Sequence, residues 1–253
     1  MDGWLEVRDR VYCRRYEPWD VSVGVVVGRD GVVVVDTRAT LGEGRELAAD
    51  VRALDSRPPL WVVNTHCHFD HTAGNPAFSP PAETAGHPTL DPSPGLPVAD
   101  RATIDLGDRE VEVRYLGRGH TGGDLVVVVG DAGVVFAGDL VEESGPPAYG
   151  DDCHPLDWPA TTARLFGLIG PAHLIVPGHG AVVDRAFVVA QQRHLQQVAG
   201  AICDLWVGEV PVEEAIAAYG DRWPFPAECL SQAVARGYRE LDLSAERRRD
   251  SGG

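Results

Sequence analysis

Leu60-Trp61-Val62-Val63-Asn64-Thr65-His66-Cys67-His68-Phe69-Asp70-His71 carries a short apolar run straight into a cluster of imidazoles and a carboxylate. Residues 60–63 read as a strand. The H-x-H-x-D-H that follows places four metal-ligand side chains within six residues, too dense a pattern to be a chance match. In extended backbone, positions i and i+2 point to the same side, so His66 and His68 can present two imidazoles to one ion. Asp70 and His71 fall just past the strand end, where a turn can swing them toward a second position. Cys67, between two ligand positions, should point the other way as a packed thiol.

Outward from this stretch, residues 21–27 and 32–35 are β-branched runs separated by Gly28-Arg29-Asp30-Gly31, a hairpin signature. Residues 45–54 have helical period, and residues 111–116, 125–129 and 134–137 read as three more strands. Residues 158–169 predict a helix ended by Gly170-Pro171, followed by a short strand over 174–176. Helical period returns over 187–207, 212–219 and 227–241. The order is strands, helix, strand, repeated once and then followed by helices, an α/β layered pattern in two similar halves. We expect a single domain over 1–243 and a polar, Arg-rich, disordered tail over 244–253. Seven prolines between residues 76 and 97 deny that segment a long helix or an interior strand. It is read as a surface connection or a semi-rigid wall beside a site.

Further ligands must come from distant sequence. His120 in Gly119-His120-Thr121-Gly122, Asp139 in Ala137-Gly138-Asp139-Leu140 and His179 in Pro177-Gly178-His179-Gly180 each follow an apolar strand inside a glycine-rich turn. They can therefore converge on one sheet edge, where small neighbours let the backbone approach a metal. Imidazole nitrogen with some carboxylate oxygen suits Zn²⁺, and a catalytic site keeps one position open for water. Thr65, Thr121 and Asp124 are candidates to fix imidazole tautomers. His154 and Tyr149, in the loop after Asp139, are candidates to contact substrate. Gly117-Arg118-Gly119-His120-Thr121-Gly122 satisfies G-x-G-x-x-G, but a strand follows it instead of the helix a pyrophosphate needs, so a dinucleotide site is rejected.

Composition narrows the chemistry. All 22 basic residues are arginine, against 38 acidic ones, for a net charge of −16. Without lysine there is no Schiff-base chemistry and no phosphate-loop amine. The acidic balance disfavours nucleic acid and anionic membrane as partners unless a local basic patch exists. Cys13, Cys67, Cys153, Cys203 and Cys229 form no C-x-x-C pair and predict a reducing compartment without disulfides. The first residues lack an apolar signal core, and no apolar run nears the about 18 residues of a membrane span. The expectation is a cytoplasmic protein.

The ordered set His66-x-His68-x-Asp70-His71, His120, Asp139, His179 resembles the metallo-β-lactamase superfamily, over residues 4–205. The resemblance implies a four-layer αββα sandwich with the site at the strand ends, here with added C-terminal helices. It implies that His66, His68 and His120 hold one Zn²⁺ and that Asp70, His71 and His179 hold another. Asp139 would bridge the two, and Asp70 would orient a metal-bridging hydroxide and take its proton. Substrates differ widely within the superfamily, so function must be argued from the site's surroundings. The motif with His179 resembles glyoxalase II and the β-lactamases with histidine on the second metal. The missing export signal speaks against a secreted antibiotic-degrading enzyme, and the missing lysine against the glutathione site of glyoxalase II. The reading is a dinuclear zinc hydrolase acting on a carbonyl ester, thioester, lactone or lactam of a small molecule. Its alternatives are a mononuclear iron (Fe²⁺) enzyme resembling persulfide dioxygenases and a metal-binding protein without turnover.

Overall fold

The protein, seen here as a computed structural model, is described over residues 3–80 and 82–251. Strands β1 (Leu5–Arg8), β2 (Val11–Tyr16), β3 (Val21–Val27) and β4 (Val32–Val35) form an antiparallel meander. Helix α1 (Leu41–Leu54) then crosses to β5 (Trp61–Val63), which runs parallel to β4. The single-turn helix α2 (Phe69–Thr72) precedes β6 (Glu83–Gly86) and β7 (Leu96–Pro97), which extend the sheet in parallel.

The second half repeats this plan. Strands β8 (Arg101–Asp105), β9 (Glu110–Tyr115), β10 (Leu125–Val129) and β11 (Val134–Glu142) are antiparallel neighbours. Helix α3 (Trp158–Leu165) crosses to β12 (Leu174–His179), parallel to β11, and β13 (Val183–Asp184) turns back along β12. Helices α4 (Arg185–Val207), α5 (Ala215–Tyr219) and α6 (Ser231–Ser251) follow. Among the described residues, the strand pairing that joins the two half-sheets is that of β3 with β12, at His179 and Val21.

Side-chain alternation along the strands sorts the layers. Val33 and Val35 of β4 share one cluster with Val127 and Val129 of β10 and Phe136 of β11, so the two half-sheets face each other. Val32 and Val34 point the other way, onto Leu47 and Val51 of α1. Val126 and Val135 pack outward against Trp158 and Leu165 of α3 and Val188 and Ile202 of α4. The result is helix, sheet, sheet, helix: the four-layer αββα sandwich. Strands buried on both faces explain the unbroken valine runs.

The structure departs from the sequence reading in several places: β8 was not expected, the helix expected over 158–169 ends at Leu165, and the strand expected over 134–137 runs on to Glu142. Residues 5–8 and 11–16 are strands, although their polar composition gave no clear period. Within the proline-rich segment, the proline-free stretch around residues 82–87 supplies β6, flanked on both sides by β5 and β7. Residues 244–251 continue α6 instead of forming a tail, because Ala245, Glu246 and Arg247 favour helix and Ser244 Oγ donates to the Glu240 carbonyl at 2.7 Å. The last two residues of the expected tail lie outside the described residues.

Gly24 of β3 lies against the Phe136 ring of β11. A Cβ there would sit 2.3 Å from the Phe136 ring, so only glycine lets that ring enter the core. Gly24→Ala is expected to cost about 1–3 kcal/mol by overpacking, and adding Phe136→Leu to recover part of the loss. Urea unfolding of the two single variants and the double variant checks the coupling.

Candidate metal centre

All seven candidate ligands meet at one rim of the sandwich. β5 ends at Val63, and His66 and His68 lie in the bend that follows, not on a strand as expected. Their rings still meet edge-on, with centroids 4.8 Å apart. His68 stands directly before α2, whose one turn carries Asp70 and His71. His120 comes from the loop between β9 and β10, Asp139 from β11, and His179 is the last residue of β12. One ligand atom each from His66, His68, His120 and Asp139 lies within 4.8 Å of the others, and the same holds for Asp70, His71 and His179.

Each of the five imidazoles has its far nitrogen tied to an acceptor, which fixes the tautomer and turns the other nitrogen inward. Thr65 Oγ1 donates to Asp36 at 2.8 Å and so accepts from His66 Nδ1 at 3.1 Å. His68 Nε2 donates to Asp152 at 3.2 Å. His71 Nδ1 donates to Asp36 at 2.8 Å. His120 Nδ1 reaches the Ala148 carbonyl at 2.9 Å, and His179 Nδ1 the Trp19 carbonyl at 2.7 Å.

The inward nitrogens surround one carboxylate. Asp139 Oδ2 is 3.3 Å from His120 Nε2, 3.4 Å from His179 Nε2 and 3.8 Å from His66 Nε2, while Oδ1 is 3.2 Å from His71 Nε2. Asp70 Oδ2 stands 3.3 Å from His179 Nε2 and 3.7 Å from His71 Nε2. His66 Nε2 and Asp139 Oδ1 are buried and make no hydrogen bond. Gly178 makes room here, since a Cβ would fall 1.8 Å from Asp139 Oδ1. Buried donor atoms without partners, converging from nitrogen and carboxylate groups, fit a divalent cation.

The electrostatics divide the histidines. Burial holds His66 and His120 below the usual imidazole range, in the neutral form. Burial also opposes a charge on His71, but Asp139 and Asp36 outweigh it and push that group up to about 10. His179 is likewise driven up to about 11, against burial, by Asp139 and Asp70. Asp139 and Asp70 are held below the carboxylate range, against burial, by the histidines beside them.

The site opens into a cleft of about 570 Å³ lined by Trp19, Tyr149, Pro146, Glu228 and Gln232 among others. Tyr149 stands in this cleft as expected of a substrate contact. His154 does not; its Nδ1 pairs with Glu240 at 2.7 Å and it lines a neighbouring pocket. Thr121 and Asp124 bond to each other and close their own turn, leaving only Thr65 of those three on an imidazole. Cys67 is exposed, because the bend past β5 faces solvent where a strand would have packed it. None of the described residues of the proline-rich segment lines the cleft.

Several site groups went unread in the sequence. Asp36 had a usable signal: an acid directly after a four-valine strand, buried at the sheet end. Asp152 had none. Glu142 lines the cleft with its Oε2 unpartnered, and burial together with Asp139 pushes its carboxyl up to about 7. Trp19 stacks edge-on with exposed Phe69 at 5.6 Å beside the opening.

The family described as the metallo-beta-lactamase superfamily matches residues 16–87 and 79–179. The chain belongs to that superfamily, and it is a metal-dependent hydrolase. Among its relatives are metallo-beta-lactamase type 2 of Bacillus cereus, 27% identical over 66% of this chain and 70% of that one, and human acyl-coenzyme A thioesterase MBLAC2, 27% identical over 70% and 78%. Human mitochondrial persulfide dioxygenase ETHE1 is 27% identical over 58% of this chain and 59% of its own. A metallo-beta-lactamase structure from Pontibacter korlensis superposes with a TM-score of 0.70 at 22% identity, covering 77% of this chain and 98% of that chain.

A cation entering this superfamily member must displace the protons that His71 and His179 hold. Because both groups are raised, they keep their protons through neutral pH, and the competition weakens only as pH nears about 10 for His71 and about 11 for His179. Zinc titrated at pH 7 into chelator-treated protein should therefore release protons. Calorimetry in two buffers of different protonation enthalpy reads the number, and apparent affinity should rise with pH.

Proposed function

We propose that the protein is a dinuclear zinc hydrolase that cleaves a carbonyl ester, thioester, lactone or lactam bond in a small molecule. The observation that carries this reading is the position of Asp139, one carboxylate in reach of ring nitrogens from both triads. His66, His68 and His120 would hold one ion, Asp70, His71 and His179 the other, and Asp139 would span them. When bound, such a pair of dications supplies a hydroxide at neutral pH and polarises a substrate carbonyl.

The chain's own groups support the rest. Asp70 is ionised at neutral pH, and its carboxylate faces the cleft, where it can orient an attacking water and accept its proton. Trp19 and Tyr149 offer apolar walls to the substrate, and the cleft's volume falls in the range of small-molecule sites. The lactamase and thioesterase relatives are named for acting on carbonyl compounds, and this supports the substrate class. The persulfide dioxygenase relative supports a second reading, a single iron held by part of the set.

Metal analysis separates the readings. Two equivalents of zinc with turnover on an ester, thioester and lactone panel are expected. One equivalent of iron with oxygen consumption would replace the hydrolase by the oxygenase. Asp70→Ala is expected to lower kcat by about 10²–10⁴-fold while the circular dichroism spectrum stays unchanged. Hydrolysis at the wild-type rate in that variant would remove Asp70 from the mechanism.

Asp152 holds His68 from outside the site, so Asp152→Ala is expected to weaken zinc binding by about 10–100-fold. Competition with a chromophoric chelator measures it, and Asp152→Asn should restore part of the loss.

A further inference from the structure

The arginines of this acidic chain are not evenly placed. Arg118, Arg236, Arg239 and Arg247 line one pocket of about 300 Å³, with His154 and the two carboxylates of Asp157 and Glu240. Even without Arg247, three guanidinium groups face two carboxylates here, a positive hollow on a chain of net charge −16. This is the local basic patch that composition alone could not reveal. The acids only partly neutralise it: Arg118 pairs with Asp157, and Glu240 is taken by His154. Arg236 is held in place through Nε, which donates to the Cys153 carbonyl at 3.0 Å, and its terminal nitrogens make no further hydrogen bond to a described residue. Arg239 makes no ion pair with any described acid.

The hollow adjoins the cleft. Ser231 and Gln232, in the first turn of α6, line the cleft, and Arg236 and Arg239 follow one and two turns later. At 1.5 Å per residue, Gln232 and Arg239 are about 10 Å apart along the helix axis. The loop between them is shared as well: Tyr149 and Gly150 face the cleft, His154 and Asp157 the hollow. The cleft is lined by no arginine among the described residues, and the scissile carbonyl would take the metal positions there, so the guanidinium groups that suit a phosphate at the substrate's other end are those of the adjoining hollow.

We propose that the arginine hollow binds the phosphate-bearing end of the substrate while the scissile carbonyl lies in the cleft, so that the substrate is an acyl thioester of a phosphorylated thiol. The inference rests on the thioester form of the function proposed above. Planar guanidinium groups pair with phosphate oxygens two at a time, which a surface of scattered charges cannot do. In the reaction the carbonyl carbon to sulfur bond breaks, water oxygen bonds to the acyl carbon, and one water proton passes to the departing thiolate.

The test compares hexanoyl-coenzyme A with the hexanoyl thioester of N-acetylcysteamine, which carries the same acyl group and no phosphate. In Arg236→Ala/Arg239→Ala, KM for the coenzyme A ester is expected to rise by about 10–100-fold with kcat nearly unchanged. Both constants for the uncharged thioester should stay at wild-type values. Equal effects on the two substrates, or none on either, would overturn the assignment. Calorimetry with desulfo-coenzyme A decides the hollow without any turnover: binding to the wild-type protein that Arg239→Glu abolishes supports it, and no binding overturns it. If neither thioester is hydrolysed yet desulfo-coenzyme A binds this way, the thioesterase reading fails and the phosphate site stands. If inorganic phosphate binds as tightly as desulfo-coenzyme A, the hollow is a free-phosphate site and the substrate assignment falls.

Discussion

A carboxylate buried without compensation is among the most expensive objects a fold can contain, and Asp139 sits at the middle of this one. Its surroundings are the compensation. Four ring nitrogens approach it from three separate chain segments, and His68 completes the ring through His120 at 2.8 Å. The groups behind those rings are ordinary: a threonine, two aspartates and two main-chain carbonyls. They act by orientation. Each removes one nitrogen from consideration and leaves the other with a single direction to face.

The layered core makes this arrangement possible. β11 and β12 run parallel, so Asp139 and His179 reach the same rim, and β4 and β5 deliver Asp36 and the His66 cluster there from the other half. Strands sealed on both faces by valine and leucine leave little freedom at their ends. The loops can therefore carry strongly polar groups in defined positions, as rigid scaffolds allow.

Much of this was legible before any coordinates. The strand runs, the two-half order and the dense histidine motif all rest on local pattern, and His120, Asp139 and His179 announced themselves by the glycines beside them after apolar runs, although Asp139 and His179 lie inside β11 and β12 and not in turns past them. What escaped depended on tertiary contact. Nothing in Gly150-Asp151-Asp152-Cys153 distinguishes the acid that meets His68, because their pairing spans 84 residues. The expected strand geometry of His66 and His68 was replaced by a bend, which also exposed Cys67. Residues 244–251 looked like a tail because their polarity hides the end of a helix whose core residues, Ala233, Val234, Tyr238 and Leu241, lie earlier in it. Charge misled in the same way: a net sum says nothing of where the arginines of α6 gather.

His179 has two employments. It is the only residue of β12 in register with β3, where the half-sheets touch, and its ring belongs to the histidine cluster. The seam of the sandwich and the chemistry share one backbone position. Any breathing motion that parts the halves must carry that imidazole, together with Asp139 on the neighbouring strand, away from Asp70 and His71, so the molecule cannot gape open and keep its reactive centre assembled. Conversely, whatever clamps the imidazole also clasps the halves, and occupancy of the centre becomes a mechanical property of the whole molecule.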